Sequence, residues 1–64
     1  MTAIEIIKAE ARKQDTQTIL DAVLLIGGGM VETAKRMTRA ALIEVYVERT
    51  SADEAEALMD LIGL

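Results

Sequence analysis

Ile19-Leu20-Asp21-Ala22-Val23-Leu24-Leu25-Ile26-Gly27-Gly28-Gly29-Met30-Val31 is the stretch that decides the fold. Its glycine triplet separates two long aliphatic segments in a chain that has no proline. Glycine takes left-handed dihedrals without steric penalty and weakens helix interiors, so Gly27 to Gly29 end one helix and begin a reversal. Before the triplet, Ile19, Leu20, Val23, Leu24, Leu25 and Ile26 point almost all round a helix, which predicts a segment buried on every side.

Moving toward the N-terminus, Thr2 with Glu5 three residues later matches a capping box. Ile4, Ile7 and Ala11 recur at helical spacing, Ile6 widens that face, and Glu5 and Lys8 stand one turn apart. The polar run from Lys13 to Thr18 reads in two ways. Asp15 caps a second helix there, or the run is the wet middle of one long helix, since no glycine or proline forces a stop. Ala22 and Leu25 fall in phase with Ile4, Ile7 and Ala11, which favours one helix over about 3–26 with a kink allowed near Asp15.

On the other side of the glycines the spacing predicts a helix over about 30–49. Val31, Ala34, Met37, Thr38, Ala41, Leu42 and Val45 share one face; Glu32, Lys35, Arg36 and Arg39 share the opposite one. Farther on, Ile43, Tyr46 and Val47 form a second apolar side. Residues 42–47 also alternate like a strand, but they continue the helical pattern without a turn signal. Ser51 and Glu54 form another capping box, and Ala55, Leu58, Met59 and Ile62 give a third helix, about 52–62, one apolar stripe. The expected fold is all-α: a helical hairpin of two long helices about Gly27–Gly29 plus a short C-terminal helix, a single domain over 1–64 assembled as a homodimeric bundle.

Composition narrows function more than it names it. Sixty-four residues form one small domain at most, and a chain of that size buries too little surface to be robust alone. Disulfides and zinc are closed to a sequence with no cysteine and no histidine, which leaves self-association as the remedy. Hydrophobic residues make up 52% of the chain, but Tyr46 is the sole aromatic, so base or sugar stacking has little to work with. The net charge of −4 opposes a general phosphate-backbone binder. No signal sequence or membrane-length apolar run is visible, which points to a cytoplasmic protein with no membrane partner.

Residues able to do chemistry are few. Nucleophilic catalysis needs a base beside the nucleophile, and Ser51 reads better as a helix cap. Asp53, Glu54, Glu56 and Asp60 lack the spacing of a calcium loop and read as a solvated acidic face. No catalytic residue, metal ligand or cofactor is expected. Lys35, Arg36 and Arg39 form a basic stripe suited to nucleic acid or to an acidic partner, including the acidic third helix of the same or another copy. The run from Ile19 through Gly27-Gly28-Gly29-Met30-Val31-Glu32-Thr33-Ala34-Lys35-Arg36-Met37 to Thr38-Arg39-Ala40-Ala41-Leu42 resembles the Fis-type helix-turn-helix of bacterial regulators. That resemblance covers about a third of the chain and implies a small DNA-binding regulator. The family's turn before its recognition helix has no counterpart at Met37-Thr38-Arg39, so the motif is degenerate.

The principal expectation is therefore a small non-enzymatic interaction, adaptor or inhibitor-type protein acting as a homodimer, a class common among phage and accessory gene products. Its interface, with itself or another protein, is expected at Leu20, Leu24, Ile43, Tyr46, Val47, Leu58, Met59 and Ile62, with Tyr46 as the anchor. The DNA-binding regulator is the alternative.

Overall fold

A computed structural model describes residues 1–63; Leu64 lies outside the described residues. They form four helices: α1 (Ala3–Ala11), α2 (Thr16–Ile26), α3 (Thr33–Arg49) and α4 (Ala52–Ile62). Among the described residues there is no strand, and 42–47 lie inside α3.

The long first helix expected over 3–26 is two helices. Asp15 leaves the helical region and its carboxylate accepts a 2.8 Å hydrogen bond from the Thr18 backbone N–H, starting α2 afresh. A strong N-cap thus replaces continuity, although no glycine or proline is present. The new start resets the helical phase. Ile19 and Val23 turn inward and are fully buried, whereas Leu25, expected on the α1 face, is 89% exposed. The segment is not buried on all sides.

The other signals act as their chemistry dictates. The Thr2–Glu5 capping box forms in both directions. Ser51 Oγ accepts from the Glu54 N–H and starts α4. Gly27, at φ +74°, closes α2 with its N–H on the Val23 carbonyl. The next helix begins at Thr33 rather than Met30, because the reversal consumes residues up to Glu32, whose side chain makes no capping bond.

The longest helix, α3, packs against each of the other three. Its buried residues, Ala41, Leu42, Ile43, Val45 and Tyr46, cover more than half a turn of its circumference. Leu42, Ile43, Val45 and Tyr46 meet Ala11 of α1, Ile19 and Val23 of α2, and Leu58 of α4 in one core. Burying a Val or Ile side chain of this kind contributes about 1.5–3 kcal/mol.

Polar bonds fix the directions. Lys8 Nζ pairs with Glu44 at 2.9 Å, in place of the expected Glu5 partner, and Arg12 forks onto Glu48 through 2.7 and 3.1 Å bonds. Both pairs advance by one turn on each helix, so α1 and α3 run parallel. Arg49 donates to the backbone carbonyls of Arg12, at 2.6 Å, and Gln14, closing the end of α1. Ten residues earlier, Arg39 donates to the Gly27 carbonyl at the end of α2, so α2 runs antiparallel to α3. The end of α4 returns to the same loop. A Cβ placed on Gly28 would land on the Ile62 carbonyl oxygen.

Two outcomes follow from this architecture. Gly28→Ala should lower stability by about 1–3 kcal/mol, because backbone must give way; a urea midpoint unchanged from wild type would refute the close approach. The second concerns acid. The Arg12 hydrogen bond, then its charge, hold Glu48 below its ordinary 4.5, and hydrogen bonds from the Thr18 side chain and then its N–H hold Asp15 below 3.8. Carboxyls depressed by folding stabilise above their unfolded values and lose that contribution as pH falls through the folded ones. The melting temperature should therefore hold from neutrality down to about pH 5 and drop below it. A combined Asp15→Asn, Glu48→Gln variant should show a shallower drop.

Candidate interaction surfaces on the two flanks of α4

The side chains of α4 divide into three strips. Ala55 and Leu58 turn into the core and Ile62 is half-buried beside them. Ala57 and Leu61 lie on one flank of that buried strip and Met59 lies on the other. Each flank opens onto a depression.

The first depression is a groove of about 180 Å³ between α2 and α4. Tyr46 and Leu58 form its floor, Leu20 one wall, and Ala57 and Leu61 the other, with Glu54 at the rim. Leu61 is 70% exposed, and Leu24, one turn beyond Leu20 on α2, is 40% exposed. Leu61 thus stands in water beside an apolar floor, and Leu24 stands in water one turn farther along α2. Single exposed leucines are ordinary; Leu61 extends a groove already lined by Leu20, Tyr46, Ala57 and Leu58.

The second depression is a cavity of about 290 Å³ between α3 and α4. Ala40, Ile43 and Met59 supply its apolar surface; Arg36, Arg39 and Glu44 supply its polar groups. It borders an exposed strip of α3, in which Arg36, Ala40, Glu44 and Val47 recur at helical spacing.

The eight residues expected at an interface separate into three sets. Ile43, Tyr46 and Leu58 are buried in the chain's own core, so Tyr46 is a core residue showing one edge to the groove and not a free anchor. Leu20, Met59 and Ile62 are half-buried against that core. Only Leu24 and Val47 are exposed, on different surfaces. The pattern of α3 pointed to two apolar sides, and α4 covers most of the second by folding back. Leu61 was missed because its position falls off the Ala55–Leu58–Met59–Ile62 stripe. A leucine off the stripe of an amphipathic helix was the available signal.

The basic stripe also divides. Lys35 sits 3.9 Å from Glu32, and Arg36 is exposed beside Thr33. Arg39, assigned to the solvent face, is only 6% exposed and donates 2.7 Å from Nη1 to the Gly27 carbonyl. The reason is electrostatic. The last turn of α2 carries no basic residue, and neither does that of α4, although both helices end beside the glycine loop. Helix C-termini carry partial negative charge, and Arg39 supplies the missing cation from a neighbouring helix. The turn that a helix-turn-helix requires is absent as well: α3 runs unbroken through Thr38–Leu42.

No described helix is long and apolar enough to cross a membrane. Comparison with known protein families, curated proteins and solved structures finds no match.

Replacing Arg39 by Met keeps the aliphatic stem but leaves the Gly27 carbonyl without its charged donor. That should cost about 1.5–3 kcal/mol. Arg36→Met, one turn away on the exposed face, should stay within about 0.5 kcal/mol of wild type. Equal urea midpoints for the two variants would refute the assignment of Arg39 as a structural clamp.

Proposed function

We propose that the protein is a small non-enzymatic helical adaptor that acts as a homodimer, with the α2–α4 groove as its self-association face and the rest of the bundle presented to a larger protein. The observation that carries this reading is the exposure of Leu61 on an apolar groove, with Leu24 exposed one turn beyond Leu20 on α2. Water contact at those side chains is costly, and a second copy laid across the groove removes it. A C2 arrangement is the simplest closed form, because each copy offers the other the same patch. Chain length supports the same view, since a core this small gains from shared burial. A chain without histidine or cysteine lacks the commonest activating base and the strongest nucleophile, which supports a binding role over a catalytic one.

Light scattering of the purified protein at micromolar concentration tests the proposal. The expected mass is twice that of one chain. Leu61→Glu and Leu24→Glu should give monomers that keep their helical circular dichroism, because both side chains stand outside the core. Tyr46→Glu should dissociate and unfold together, because its ring lies within the core. A wild-type protein that is folded and monomeric at that concentration would overturn the reading. A gel shift with mixed DNA at physiological salt serves as the counter-test. Salt-sensitive binding would move the assignment to a DNA-binding regulator.

A further inference from the structure

The α3–α4 cavity is lined by two arginines and one acid. Among the described residues, Arg39 and Arg36 have no carboxylate within salt-bridge distance. Glu44, the one acid lining the cavity, is already neutralised by Lys8 at 2.9 Å. Two arginines one helical turn apart therefore line a space of about 290 Å³ with no free carboxylate of the described residues lining it. Arg39 makes the case strongest. It is 94% buried by its exposure of 6%, and its one hydrogen bond runs to a neutral carbonyl. A buried cation is ordinarily paired, since removing it from water is expensive. Its guanidinium has five N–H donors, and the Gly27 bond takes one. No nitrogen of the side chain is both buried and unbonded, and Arg39 is one of the residues that line the cavity.

We infer that this cavity is a binding site for an aliphatic carboxylate. The two arginines receive the carboxylate, and the stem lies against Ala40, Ile43 and Met59. Planar guanidinium groups match a carboxylate through paired N–H donors. The apolar surface selects a ligand with a hydrocarbon portion over a bare ion. The chain's net charge of −4 favours a monoanion over a doubly charged phosphate. The site lies on the opposite flank of α4 from the α2–α4 groove and does not depend on self-association there.

The same chemistry arises from a free small acid or from an acidic side chain of another protein. Methyl and amide NMR signals of Ala40, Ile43 and Met59 provide the readout for a titration of the full chain. The probes are isovalerate, its uncharged analogue isovaleramide, inorganic phosphate, and acetyl-Leu-Glu-Leu-amide, whose sole charge is a side-chain carboxylate. Isovalerate and the peptide should shift these signals. The amide and phosphate should bind at least about tenfold more weakly, the loss expected when a charge-assisted hydrogen bond is missing. The tighter of the two carboxylates identifies the source. Arg36→Gln, which leaves the Gly27 clamp intact, should weaken isovalerate about tenfold, and Arg36→Lys should recover part of the loss. Equal binding of acid and amide, equal binding of phosphate, or an unchanged titration in Arg36→Gln would each overturn the assignment.

Discussion

The bond from Arg39 to the Gly27 carbonyl holds together three features that otherwise have no connection. It satisfies the carbonyl of the glycine that closes α2, and it sets a positive charge where that helix ends and α4 arrives. It also fixes the angle at which α3 leaves the reversal. Each of these would be weak alone. The glycines permit many conformations, and α3 begins without a side-chain cap. A charged donor buried against the loop restricts that freedom. The low exposure of Arg39 is thus a consequence of loop chemistry and not of hydrophobic pattern.

Arg49 repeats the device at the C-terminal end of α3, donating to carbonyls at the end of α1. The long helix therefore carries one arginine clamp near its middle and one at its C-terminal end, with an apolar surface between. Ion pairs Lys8–Glu44 and Arg12–Glu48 line the edge along α1. Exposed pairs contribute little energy individually, but two with matched spacing admit one register and one relative direction. The division of labour is clear: the core supplies cohesion, and polar contacts decide which of several topologies it adopts.

How much of this was legible in the sequence follows from the range of the interactions. The Thr2–Glu5 box, the Ser51 cap and the glycine stop act within four residues, and each appears where the sequence places it. Asp15 was legible as a cap too, but helical phase argued against it. Phase lost because one capping carboxylate resets the count of turns, and Leu25 consequently points to water. Arg39 defeated the reading for a different reason. Its position among Lys35 and Arg36 gives a polar face, and only the return of α2 and α4 to the glycine loop turns that position inward. Tyr46 and Ile43 were assigned to a partner for the same reason, since a pattern shows that a face must be covered and not which helix covers it.

The covering helix itself then creates the two candidate surfaces. A second apolar side on α3 calls for α4, and α4 answers with a stripe narrower than the surface it meets. Ala55 and Leu58 fill the centre, and depressions remain along both edges. Their characters differ because their borders differ. Toward α2 the border is leucine, so the groove is apolar and favours another apolar surface. Toward the exposed strip of α3 the border is Arg36, Arg39 and Glu44, so the cavity is polar at its mouth and apolar within. One short helix on a long one thus yields two surfaces of unlike chemistry.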